Sequence, residues 1–295
     1  MSFCFKKKES VTKAVRRLCC ERVDDALKLL KTGDHFDAVH DVRKEIKKLR
    51  AVLRLVRSGI GETAYAGATD ALRGAAGRLN AMRDAQVRLA ALEILVKNSN
   101  GRLPRKSMPK IQDALREDCQ AEEKKLGKTV DSAKKFLVEA RRQLGSLKVR
   151  PNNWNAVAPG LKKIYRRGRK AFALAKRQPS PEHFHAWRKR VKDLSNQLRL
   201  VCPARPARIK PRMENLEKLG DLLGDDHDLF MLGQFIGKQL KQLREKKPVE
   251  EIIAARQKKL RAEALELGAA FYTKNPKRFC RQLGDGWKSW RRRVG

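Results

Sequence analysis

The stretch VHDVRKEIKKLR, residues 39–50, decides the fold. Val39, Val42, Ile46 and Leu49 step by three and four, and Leu53 and Val56 continue the series. That spacing puts side chains on one face of an α-helix. His40, Arg43, Lys47, Arg50 and Arg54 step in the same way one residue on, so they form a second stripe rotated by about 100° from the first. The basic row therefore borders the buried face. Residues at such a border line grooves between packed helices, and a helix bathed in bulk water has no need of so regular a row. Lys44 lies outside the row and extends its basic field.

The same pattern returns later in the chain. FHAWRKRVKDLSNQLRLV (184–201) aligns with VHDVRKEIKKLRAVLRLV (39–56) at an offset of 145 residues. His40 falls on His185, Arg43 on Arg188, Lys44 on Lys189, Lys47 on Lys192 and Arg54 on Arg199, while Arg50 meets Ser195. The six apolar positions align with Phe184, Trp187, Val191, Leu194, Leu198 and Val201. More loosely, LNAMRDAQV (79–87) lies against DLLGDDHDL (221–229). The reading is a duplication. Two pseudo-symmetric four-helix bundle units, roughly 1–149 and 150–295, pack into one all-α body. Their basic rows face each other across a central basic cleft, with His40 and His185 at equivalent places on it.

The rest of the chain agrees with an all-α class, since strand-like alternation is absent. Helical periodicity predicts about eight helices, over roughly 11–33, 35–58, 62–98, 109–146, 160–178, 182–201, 210–246 and 249 to near the end. PNNWNAVAPG (151–160) reads as a turn-rich break between the halves. Hydrophobic residues make up 41% of the 295, enough for a core, but 35% are charged. Seventy Lys and Arg against 33 Asp and Glu give a formal net charge of +37. Self-repulsion on that scale points to a polyanionic partner.

No stretch has the roughly 20 apolar residues that a membrane span needs. The segment MSFCFKKKES lacks the apolar run of a signal peptide. Cys4, Cys19, Cys20, Cys119, Cys202 and Cys280 include no CxxC pair and read as reduced, mostly buried thiols of a cytoplasmic protein. No metal site or cofactor is expected.

HDVRKEIKKLR and HAWRKRVKDL, one in each half, resemble the paired histidine motifs of the CHAD domain, the conserved histidine α-helical domain. The family's Arg-Asp turn is matched by Arg83 and Asp84 in LNAMRDAQV, and its later turn by Gly224 and Asp228 in LLGDDHDL. The basic helix before the second histidine is matched by YRRGRKAF, with Tyr165, Arg166, Arg169 and Lys170. The departures are Ser195 for a basic residue and Gln86-Val87 where the family often has Asp-Val. The resemblance implies a pseudo-twofold helical bundle with a basic central surface that binds inorganic polyphosphate, in some cases at polyphosphate granules. Some members carry a fused CYTH triphosphatase domain, whose ExExK signature is absent here.

Polyphosphate suits these residues chemically. It is a chain of phosphates with nothing to stack on, so its receptor needs many cations along a groove. Arg gives two-pronged hydrogen bonds and Lys a mobile point charge. The expected ligands are His40, Arg43, Lys44, Lys47, Arg50, Arg54 and Arg83 in the first half. The second half adds Tyr165, Arg166, Arg169, Lys170, His185, Arg188, Lys189, Lys192 and Arg199. His35 and His183 lie near helix starts and read as incidental. Nucleic acid is the rival partner, bound through its phosphates, although aromatics reach only 6% and supply few stacking platforms. A metal-dependent hydrolase is the rival chemistry, resting on Asp221, Asp225, Asp226, His227 and Asp228. Against it, these acids also suit pairing with surplus Arg and Lys. The resulting expectation is a binding module and not an enzyme.

Overall fold

The structure, a computed structural model, describes residues 3–32, 35–99, 101–201, 206–239 and 246–292. Among these residues there are eleven helices and no strand: α1 (Val11–Thr32), α2 (His35–Ile60), α3 (Glu62–Arg78), α4 (Asn80–Asn98), α5 (Met108–Glu123), α6 (Leu126–Gly145), α7 (Trp154–Arg177), α8 (Pro181–Val201), α9 (Pro206–Gln239), α10 (Lys246–Phe271) and α11 (Pro276–Arg292). Cys202 and the ends of two predicted helices, at 33 and at 240–245, lie outside the described residues.

Three of the eight predicted helices are each two. The segment 62–98 breaks at Leu79, which leaves helical geometry at φ −97°, ψ 5° while its side chain stays buried in the core. The segment 109–146 breaks at Lys124-Lys125. The last segment breaks before Asn275, whose side chain accepts from the Arg278 N–H at 2.8 Å, with Pro276 at the first helical position. An Asn cap followed by Pro is a helix-start signal that periodicity alone passes over. The break at 151–160 is shorter than expected. Asn153 caps α7 by accepting from the Asn155 N–H at 2.9 Å, so the helix begins at Trp154 and contains Pro159.

The two apolar stripes that align in sequence both form core. Val39, Val42, Ile46, Leu49, Leu53 and Val56 on α2, and Phe184, Trp187, Val191, Leu194, Leu198 and Val201 on α8, are all 2% exposed or less. Each such side chain contributes about 1.5–3 kcal/mol by leaving water. They join one hydrophobic cluster that also takes residues from α1, α3, α6, α7, the early part of α9, and α11. Within it α2 packs on α1, α3, α7 and α8, and α8 packs on α7 and α9 as well. A second cluster is built from Leu92, Leu95, Ile111, Leu115, Leu232, Ile236, Val249, Ile253 and their neighbours on α4, α5, α9 and α10.

Helices far apart in sequence are fastened directly. Gln197 on α8 is fully buried and its side-chain amide donates to the Ala51 carbonyl of α2 at 3.3 Å. Arg54 on α2 pairs with Asp193 on α8 at 2.6 Å. Helices α2 and α7 touch backbone to backbone, because a Cβ on Gly160 would lie 2.0 Å from the Leu55 carbonyl oxygen. Neither backbone can yield without moving its helix. Gly160→Ala is therefore expected to destabilise the fold by about 3 kcal/mol or more, the upper end of overpacking costs, read as a lower urea midpoint.

Candidate polyanion-binding site

The basic row of α2 and that of α8 converge where these helices meet α4 and α9. Lys47 marks the centre. Its ammonium is crowded by protein and by four cations: Arg188 and Lys192 from α8, Arg43 from its own helix and Arg83 from α4. Loss of hydration, and then repulsion by these groups, pull its pKa from 10.5 down to about 8, although part of the side chain remains open to solvent. Arg43 reaches across to donate to the Ala76 carbonyl at 3.0 Å and to the Asn80 side-chain oxygen, which fixes its guanidinium at the junction of α3 and α4.

Glycines on α9 shape the opposite wall. A Cβ on Gly220 would lie 3.2 Å from the Lys192 side chain, and one on Gly224 would lie 3.7 Å from Arg188 Nε. The bare backbone of α9 thus leaves room for both cations to lie across it. Lys192 is tied to Asp221 at 2.9 Å. Asp228 sits among Arg188, Arg83, Lys47 and Lys192, and burial raises its carboxyl above the usual range despite those cations.

Both motif histidines border this cluster. His40 has Arg83, Lys44 and Lys47 as neighbours, and His185 has Lys189 and Arg188. The His185 ring lies 4.0 Å, centroid to centroid, from His227 of α9, and His227 also senses Lys47. Burial, reinforced by the cations, lowers all three: His185 to about 4, His227 to about 3, and His40 by a smaller step. At neutral pH the rings are uncharged. Arg43 Nε, Arg188 Nε and His185 Nδ1 are buried and have no hydrogen-bond partner within the protein. A buried polar group left so costs about 1–3 kcal/mol.

The remaining expected ligands lie at the edge of this cluster or away from it. Arg54 faces α8 but is held by Asp193, which also lies 3.9 Å from Arg190. Arg50 is beside Arg54, Asp193, Arg73 and Tyr65. Arg199 is paired with Glu217 at 2.7 Å, and Lys44 with Asp41 at 2.9 Å. Arg166, Arg169 and Lys170 are exposed on α7, whereas the cations around Lys47 come from α2, α4 and α8. Tyr165 is a correction. It is fully buried, stacks on Phe279 with centroids 3.9 Å apart, and donates to the Lys274 carbonyl at 3.1 Å, which leaves no face for a phosphate. The segments matched to family turns, around Arg83 and Gly224, are also helical, in α4 and α9.

The site member that the row pattern misses is His227. Gly220, Gly224 and His227 step by four and three along α9, which places them on one face towards α8. The acids around it act as counter-ions: Asp221 to Lys192, and Asp226 to Arg261 at 2.6 Å. Among the described residues no three His, Cys, Asp or Glu side chains are grouped to hold a metal ion. None of the helices there is long and apolar enough to cross a membrane. Cys19, Cys20, Cys119 and Cys280 are free thiols.

The model of the CHAD domain family matches residues 14–237. The chain belongs to the CHAD family. Its fold is similar to that of the CHAD domain from the plant Ricinus communis, whose crystal structure aligns with a TM-score of 0.60 at 15% identity, covering 98% of this chain and 95% of that one. No curated protein sequence matches.

The depressed His185 has a consequence for stability in this CHAD chain. Unfolded, the ring binds a proton near 6.5; folded, it does so near 4. The unfolded state thus holds more protons between those values, so stability drops as pH falls through that window. Melting curves from pH 7 to 4 are expected to fall less steeply for His185→Gln than for the wild type.

Proposed function

We propose that this CHAD domain binds inorganic polyphosphate as a receptor and not as an enzyme. The observation that carries the reading is the ring of cations around Lys47, drawn from three helices and bordered by three uncharged histidines. These groups repel one another when no anion is present. A flexible phosphate chain offers one charge per unit and oxygens on every side, so it satisfies Arg43, Lys47, Arg83, Arg188 and Lys192 together. On this reading the protein works in the cytoplasm, and granules of polyphosphate are its natural location.

Competition among long-chain polyphosphate, RNA and duplex DNA of matched charge, at one salt concentration, tests the proposal. Polyphosphate is expected to displace both nucleic acids, because its charges are more closely spaced and it carries no bases that need room. RNA binding as tight as polyphosphate would make nucleic acid the partner. Binding is also expected to strengthen as pH falls below about 6, because contact with phosphate raises the His185 and His227 pKa values and the complex takes up protons. Above about pH 8 it should weaken, as free Lys47 loses its charge.

A further inference from the structure

Beside the cation cluster, an open groove runs between α4 and α9–α10. Small-molecule sites have this kind of apolar lining with a few polar groups. The walls are Val87, Ala90, Ile94, Leu95, Leu229 and Leu260. Ile94 is 51% exposed on its rim. The polar lining is Arg83, Arg256, Asp225 and Asp228, with Asn98 at one end. Two guanidiniums thus balance two carboxylates, and the groove by itself selects a neutral body. Arg83 and Asp228 belong equally to the cluster around Lys47. A molecule lying in the groove therefore touches two residues that also neighbour Lys47 and Arg188.

A pure hydrocarbon would cover Asp225 and Asp228 without offering them a hydrogen bond, which is costly. A flat heteroaromatic ring with N–H donors meets both needs: apolar faces for the walls and donors for the carboxylates. We propose that the groove is a subsite for the base of a purine nucleoside polyphosphate, whose phosphate tail enters the polyanion cleft. Asp225 and Asp228 accept from the ring's N–H groups, and Arg83 spans base and tail. The tail's part in this rests on the receptor reading given above; the base's part does not.

The full chain is titrated with ATP, inorganic tripolyphosphate and long-chain polyphosphate in one magnesium-free buffer. Tripolyphosphate carries at least as much charge as ATP, so electrostatics alone never favours ATP. ATP is expected to bind about tenfold more tightly than tripolyphosphate, a margin within the reach of one buried ring. Ala90→Trp, at an exposed position, fills the groove, and Ile94→Glu charges its rim. Each is expected to bring ATP to within twofold of tripolyphosphate and leave tripolyphosphate binding as it was. The inference is overturned if wild-type ATP binding is no tighter than that of tripolyphosphate, or if the advantage survives both variants. If polyphosphate and tripolyphosphate bind but ATP has no advantage, the groove inference alone falls. If no phosphate compound binds, the receptor reading falls with it.

Discussion

Replacing Arg43, Lys47, Arg188 and Lys192 together by Ala is expected to lower polyphosphate affinity about a thousandfold at physiological salt. One solvent-screened phosphate contact contributes roughly 1 kcal/mol, so four removed together amount to roughly 4 kcal/mol, and each 1.4 kcal/mol is tenfold. Single substitutions should each cost only several-fold, because neighbouring cations take over part of the chain. The variant should still fold. Lys47 and Arg188 contribute repulsion to the empty site, and their loss offsets the bonds that Arg43 makes to Ala76 and Asn80. Far-ultraviolet circular dichroism checks helicity and calorimetry checks affinity. A folded variant that binds like the wild type would move the site away from α2 and α8.

Raising salt from about 50 to about 200 mM is expected to weaken wild-type binding roughly a hundredfold. Five cations surround the chain's path at Lys47, and each neutralised phosphate releases about 0.7 of a counterion for a single-stranded polyanion. A logarithmic plot of affinity against salt should therefore fall with a slope near −3.5, and the fourfold variant should lose most of that slope. A flat plot would mean that few ion contacts form and that the cations around Lys47 serve another purpose.

The apolar stripes of α2 and α8 were legible because six residues at helical spacing leave one solution for what is buried. The same logic put Arg43, Lys47, Arg188 and Lys192 on helix faces that the fold brings together. It did not separate them from Arg50 and Arg54, which share their face of α2. Position along a helix decides the surroundings: Lys47 meets the cations Arg83 of α4 and Arg188 of α8, whereas Arg54 meets the carboxylate of Asp193 on α8. Spacing within one element carries no information about the partner element. Tyr165 shows the converse. Leu161, Ile164, Tyr165 and Gly168 are the buried series of α7, so its own spacing marked it as core even as the basic residues around it suggested a ligand. The break at Leu79 was hidden because no proline punctuates it and packing of Leu79 itself fixes the geometry. The histidines could be placed from sequence, but their charge state could not. Burial lowers it first, and cations add to that: Lys189 and Arg188 of its own helix for His185, but Arg188 and Lys189 of α8 and Lys47 of α2 for His227. Only the fold supplies the burial and these neighbours of His227.

The fastening of Arg54 to Asp193 joins residues 139 positions apart. During synthesis α2 leaves the ribosome long before α8 exists to cover it. At about 5–20 residues per second the interval is roughly 7–28 s. Throughout that time the uncovered side of α2 is a sticky, strongly positive surface in a compartment crowded with ribosomal RNA. The nascent chain therefore meets polyanions before α8 is there to pair Asp193 with Arg54.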